Sequence, residues 1–213
     1  MNAADLLVYA VSDRHWLKDG EPLNSAIELA IEGGATFIQL REKALPYGEF
    51  LEQAKQTAKL CKEKNVKFVV NDDVHIAKLA NADGVHIGQS DETLANARKI
   101  LGEDKIIGVS VQSVQQALQA ERGSADYLGV GAMFKTSSKD DAKIVSINTL
   151  REICNAVKIP VVAIGGINLE NIELFEKSGI CGVAVISAIF GQKDIKKAAA
   201  LLRTAAKKFL KQA

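Results

Sequence analysis

Three cysteines in 213 residues, Cys61, Cys154 and Cys181, are too few and too scattered for a disulfide framework. No pair has the spacing of a zinc site. They read as reduced, mostly buried thiols of a cytoplasmic protein. No apolar run approaches the roughly 18 residues that cross a bilayer, so no membrane role is expected. The opening residues lack a basic segment, an apolar stretch and a small-residue cleavage site, so no secretory leader is expected. Neither sign of charge dominates. Lys and Arg number 27 against 26 Asp and Glu, a net charge of +1. That balance argues against a nucleic-acid partner held on a broad basic surface, while leaving room for a local cationic cluster. Linkers, low-complexity segments and charge blocks are also missing, so residues 1–213 read as one domain.

What the chain has is alternation. Eight short apolar or β-branched runs fall at 7–11, 36–40, 67–70, 84–87, 105–109, 127–130, 161–164 and 182–186. Several are apolar throughout, as in parallel strands buried on both faces. Amphipathic segments separate them, at about 22–33, 46–64, 74–80, 92–101, 114–121, 147–156, 170–178 and 195–211. Pro22 is expected at a first-turn position, and Gly33-Gly34 ends that helix. Strand starts recur every 25 residues on average, the length of one βα unit. Eight such units predict an α/β fold, a single (β/α)8 TIM barrel. A doubly wound sheet binding a dinucleotide would carry G-x-G-x-x-G after its first strand. Here that strand leads into Ser12-Asp13-Arg14-His15-Trp16.

A barrel keeps its active site at the C-terminal ends of its strands. Polar, charged or glycine residues stand there in seven consecutive units. Strand two leads through Gln39-Leu40-Arg41-Glu42-Lys43, where alternation puts Gln39, Arg41 and Lys43 on one face. Later strands lead into Asn71-Asp72-Asp73, Gln89-Ser90-Asp91, Ser110, residues 131–139, Gly165-Gly166 and Ser187. Arg41 can fork onto phosphate oxygens, and Lys43 and Lys139 act as point charges. Asp72 and Asp91 are hard oxygen donors suited to Mg²⁺ bound beside substrate phosphates. Each has a second reading, as the cap of the helix that follows. Gly165-Gly166 and Ser187 fit the phosphate site that barrels often build after strands seven and eight. A tight βα turn would also explain the glycines.

These stretches resemble the thiamine phosphate synthase (thiamine-phosphate pyrophosphorylase) family. The resemblance rests on Tyr9-Ala10-Val11-Ser12-Asp13, Gln39-Leu40-Arg41-Glu42-Lys43, Asn71-Asp72, the run 82–91, Gly108-Val109-Ser110, Thr136-Ser137-Ser138-Lys139, Ile164-Gly165-Gly166-Ile167 and Val185-Ile186-Ser187, in order along nearly the whole chain. It implies a Mg²⁺-dependent transferase that joins hydroxymethylpyrimidine diphosphate to hydroxyethylthiazole phosphate, releasing diphosphate by a dissociative substitution. Carried over position by position, Gln39, Leu40, Arg41, Glu42, Lys43, Asn71, Ser110 and Lys139 would bind the pyrimidine diphosphate. Asp72 and Asp91 would hold Mg²⁺. Thr136, Ser137, Ser138, Gly166, Ile186 and Ser187 would bind the thiazole phosphate. Arg41, Lys43, Ser110 and Lys139 would take part in catalysis. The partners implied are small molecules, and a homo-oligomer is allowed.

The chain departs from the family pattern at Ala132, Lys135 and Ser138, where two prolines flanking Phe134 and a second threonine are usual. His86, between Val85 and Ile87, is expected to point into a barrel layer, and His15 and His75 to serve structure or capping. Trp16 is expected to pack. The runner-up reading is a thiazole tautomerase on the same fold, a proton-transfer enzyme that carries histidine where this chain has Ala132. A third is a non-catalytic ligand-binding paralogue.

Overall fold

The computed structural model describes residues 1–17, 20–136 and 143–210. Eight strands close a parallel barrel in sequence order: β1 Val8–Val11, β2 Phe37–Leu40, β3 Lys67–Asn71, β4 Gly84–Ile87, β5 Ile106–Val111, β6 Tyr127–Val130, β7 Val161–Ile164 and β8 Gly182–Val185. β1 pairs with both β2 (Val11 opposite Gln39) and β8 (Tyr9 opposite Ala184), so the sheet has no edge. The helices are α1 Leu23–Gly33, α2 Tyr47–Glu63, α3 Val74–Leu79, α4 Leu94–Leu101, α5 Val114–Arg122, α6 Ile147–Ala156, α7 Ser187–Phe190 and α8 Ile195–Phe209.

Strand alternation divides the core in two. Val8, Ala10, Ile38, Leu40, Phe68, Val70, Val85 and Ile87 face outward and pack under the helices. Tyr9, Val11, Phe37, Val69, Tyr127, Val162 and Ala184 fill the barrel. Inside, the rings of Tyr9, Phe37 and Tyr127 meet edge to face at centroid separations of 4.7–5.9 Å. Cys61 and Cys181 are buried and Cys154 partly so, all as free thiols. Burial pushes Cys61 and Cys181 up to about 12, so all remain protonated and unreactive near neutral pH. Trp16 is partly buried against the outer core.

Several boundaries differ from the sequence expectation, each for a local reason. Pro22 is the N-cap of α1, with extended backbone, rather than a first-turn residue. The helix expected at 170–178 is a single 3₁₀ turn, Ile172–Phe175. Ile172 and Phe175 are both buried, and three-residue spacing eclipses them on one face of a 3₁₀ turn. The run expected to extend β8 to 186 stops at Val185, and α7 follows at once. The expected end of α8 at 211 lies outside the described residues. Neither Asp72 nor Asp91 takes the capping role that was its alternative reading. Asp73, not Asp72, caps α3 by accepting from the Ile76 N–H at 2.8 Å. Thr93, not Asp91, caps α4, which begins two residues later than expected.

Candidate active site

The two carboxylates that do not cap helices meet each other instead. Asp72 follows β3 with φ +65°, a left-handed conformation that is uncommon away from glycine. Its carboxylate accepts from Lys43 Nζ at 2.6 Å, across from the end of β2. On its other side lies the carboxyl of Asp91, within hydrogen-bonding reach. Asp91 is anchored by the Gly88 N–H, 2.7 Å from its Oδ2. Burial and the neighbouring Asp72 carboxylate raise the Asp91 pKa, outweighing the lowering effects of Gly88 and Lys43. Among the described residues no three His, Cys, Asp or Glu side chains gather into a metal cage. Two converging hard oxygen donors are a pair that could hold a divalent cation whose other ligands come from water and phosphate.

Arg41 is set by a different pair of contacts. Its Nη1 lies 2.7 Å from Asp13 Oδ2, and its backbone N–H donates to Ser12 Oγ at 3.2 Å. Asp13 is itself fixed, because it caps the 3₁₀ turn Arg14–Trp16 through the His15 N–H. The guanidinium is thus held from the loop after β1 while about a fifth of its side chain remains exposed at the mouth. Glu42 turns the other way, onto Arg14 at 2.8 Å. Leu40 faces the helix layer, so only its backbone is available to the mouth.

Gln39 and Ser110 belong to one buried chain of hydrogen bonds inside the barrel. The Gln39 amide donates to the Tyr9 hydroxyl. Tyr9 and Tyr127 hydroxyls are 2.7 Å apart, Tyr127 is 2.9 Å from His86 Nδ1, and His86 Nε2 is 2.9 Å from Ser110 Oγ. His86 therefore points into the barrel as expected, and burial pulls its pKa down to about 4. Sequence reading missed Tyr9, Tyr127 and Asp13 as contributors to the mouth.

On the opposite side, the segment after β6 lies on the turn after β7. Met133 and Phe134 N–H groups donate to Ile164 and Gly165 carbonyls at 2.9 and 3.0 Å. Gly166, at φ +67°, has no room for a Cβ, which would stand 2.7 Å from the Lys135 carbonyl oxygen. This contact sets Thr136 close to the Gly165-Gly166 turn. Ile186 packs on the inner core, and exposed Ser187 opens α7. Ala132 is buried and brings no ionisable group. Lys135 is exposed. Asn71 ends β3, paired in register with His86. Ser137, Ser138 and Lys139 lie outside the described residues.

Known proteins are similar along the same span. The family model described as thiamine monophosphate synthase matches residues 8–189. The thiamine-phosphate synthase of Clostridium tetani is 51% identical over 194 residues, covering 91% of this chain and 92% of that protein. That of Ruminiclostridium cellulolyticum is 50% identical over 195 residues, covering 92% of each. The solved thiamine phosphate pyrophosphorylase from Pyrococcus furiosus superposes with a TM-score of 0.90 at 41% identity, covering 98% of this chain and 99% of that one. Looser neighbours, such as KGPDC from Streptococcus mutans at TM-score 0.67 and 18% identity, share the barrel alone. With these matches on a closed eight-stranded barrel, the chain belongs to the thiamine monophosphate synthase family.

Proposed function

We infer that this chain, acting as one catalytic unit, is a thiamine-phosphate synthase: it condenses hydroxymethylpyrimidine diphosphate with hydroxyethylthiazole phosphate, giving thiamine phosphate and diphosphate. The observation that carries the reading is the meeting of Lys43, Asp72 and Asp91 at the strand ends, with Arg41 two residues before Lys43 along the chain. A cation, two carboxylates that repel each other unless a divalent ion joins them, and a forked guanidinium suit a diphosphate ester.

The chemistry follows from charge. The bond between the pyrimidine methylene carbon and the diphosphate oxygen breaks, and its electron pair leaves with the diphosphate. The thiazole nitrogen then gives its lone pair to the cationic carbon. No proton moves, so no general base is required. Arg41, Lys43 and Lys139 stabilise negative charge that grows on the leaving group. Groups aimed at developing charge contribute about 10²–10³-fold each. Asp72 and Asp91 would hold Mg²⁺, which supplies Lewis-acid stabilisation of the diphosphate when bound. Gln39, Asn71 and Ser110, with the 39–43 backbone, orient the pyrimidine. Thr136, Ser137, Ser138, Gly166, Ile186 and Ser187 receive the thiazole phosphate, and the rest of the rate comes from alignment.

A tautomerase needs an acid–base group at the thiazole. Ala132 provides none, and His86 is committed to hydrogen bonds inside the barrel. A soluble site in the cytoplasm and small-molecule substrates fit the same reading. Supplying both substrates with Mg²⁺ should give thiamine phosphate, and omitting either should give none. Rapid thiazole isomerisation with no thiamine phosphate would transfer the assignment to the tautomerase.

A further inference from the structure

We propose that Tyr9, Tyr127 and His86 are positioning residues, a buried relay that joins Gln39 to Ser110 across the barrel and fixes which of the two offers an acceptor, and which a donor, to an aminopyrimidine. The inference rests on the substrate reading above and deepens it.

The relay runs through five strands. Gln39 on β2 donates to Tyr9 on β1, whose hydroxyl meets Tyr127 on β6. Tyr127 meets His86 on β4, and His86 meets Ser110 on β5. Gln39, Tyr9, Tyr127 and His86 are all buried. A barrel core needs no such groups, since phenylalanine and leucine fill the same volume without desolvating anything. Room has been made for them. A Cβ on Gly108 would stand 2.1 Å from the Tyr127 ring, and one on Gly129 would stand 3.1 Å from His86. Two inward positions thus stay empty so that a phenol and an imidazole can cross the barrel.

The donors and acceptors run one way. The Gln39 amide spends an N–H on Tyr9, so the Tyr9 proton must go to Tyr127. Tyr127 must then donate to His86 Nδ1, which leaves the imidazole proton on Nε2, directed at Ser110 Oγ. This arrangement gives the hydroxyl hydrogens of Tyr9 and Tyr127 and the imidazole N–H of His86 an acceptor each. Burial raises the pKa of both tyrosines, so each hydroxyl keeps its one proton. The ends are fixed as a result. Gln39 keeps its carbonyl oxygen for a ligand, an acceptor. Ser110 keeps its hydroxyl hydrogen for a ligand, a donor. An aminopyrimidine offers the complement, donors on its amino group and acceptors at its ring nitrogens. Reversing the relay would set donor against donor.

A relay acts as a unit, and discrimination against a substrate lacking the amino group reads it out. The measurement is kcat/KM for the aminopyrimidine diphosphate and for the same diphosphate with hydrogen in place of the amino group, at fixed thiazole phosphate. In the unaltered protein the ratio should exceed about 100. In Tyr127→Phe, which keeps the ring, the ratio should fall roughly tenfold or more, with KM raised for the pyrimidine and unchanged for the thiazole phosphate. Tyr9→Phe should do the same, and the double variant should fall no further than either single one. An unchanged ratio in a folded, active Tyr127→Phe protein overturns the relay, as does a double effect equal to the product of the singles. If Tyr127→Phe does not fold, Tyr9→Phe alone decides by the same ratio. Absence of turnover by the unaltered protein with either pyrimidine is a separate result, and it overturns the substrate reading itself.

Discussion

Lys43 Nζ and Asp72 Oδ2 are 2.6 Å apart, joining the end of β2 to the end of β3 at the barrel mouth. The pair is exposed enough that it adds little to stability. The backbone beneath Asp72 is strained at φ +65°. A residue held in a costly conformation to support a weak surface ion pair is being kept for its carboxylate. Asp72→Gly should therefore lower turnover by about 100-fold or more. The same change should leave the melting temperature unchanged or higher, because glycine relieves the positive φ. Kinetics and thermal unfolding on one preparation check both signs.

Asp13 controls Arg41 through the 2.7 Å contact, from a loop on a different strand. Asp13→Ala should remove one of the contacts that hold the guanidinium and lower kcat/KM for the pyrimidine diphosphate about tenfold, an effect of misplacement rather than of lost charge. Steady-state kinetics with each substrate varied in turn will separate this from damage at the thiazole phosphate side, whose KM should hold.

Gly166 is a point of close approach between the β6 and β7 loops. Gly166→Ala forces a methyl group toward the Lys135 carbonyl and penalises the φ of +67°. A destabilisation of about 1–3 kcal/mol is expected, with KM for thiazole phosphate raised more than KM for the pyrimidine. Denaturant unfolding and the two KM values test it.

His86 links pH to stability. Its folded pKa of about 4 lies below the 6.5 of a free histidine, so between those values the unfolded chain binds the proton and the folded chain does not. Stability is complete above about pH 6.5 and is lost as pH falls toward 4, by up to about 3 kcal/mol from this group. Melting curves between pH 7 and 4.5 should show a steeper acid decline for the native protein than for His86→Asn.

The eight strands and the inward direction of His86 were legible because apolar runs and strand alternation are local signals. Gln39, Arg41 and Lys43 were grouped by the same alternation, although β2 ends at Leu40 and only Gln39 lies in the strand. Asp72 and Asp91 were ambiguous, since a carboxylate before a helix can always be a cap. Asp73 and Thr93 took that role, and only the fold reveals that the other two carboxyls meet. Tyr9 and Tyr127 are 118 residues apart, and no periodicity reports contact at that range. The 3₁₀ turn Ile172–Phe175 was misread as a helix because Ile172 and Phe175 sit at a spacing both structures share.

Asp91 and Asp72 should also make cation binding visible without turnover. Inorganic diphosphate with Mg²⁺ should raise the melting temperature of the native protein by a few degrees, following ligand linkage. In Asp72→Gly and Asp91→Asn the shift should shrink or vanish.

The central claim is that the mouth around Arg41, Lys43, Asp72 and Asp91 expels diphosphate as the thiazole nitrogen attacks. The most direct measurement follows diphosphate and thiamine phosphate together, with Mg²⁺ and then with a chelator in excess. Equal amounts of the two products are expected with Mg²⁺ and almost none with the chelator. Product formed at an undiminished rate under chelation, or a thiazole isomer formed without diphosphate, would contradict it.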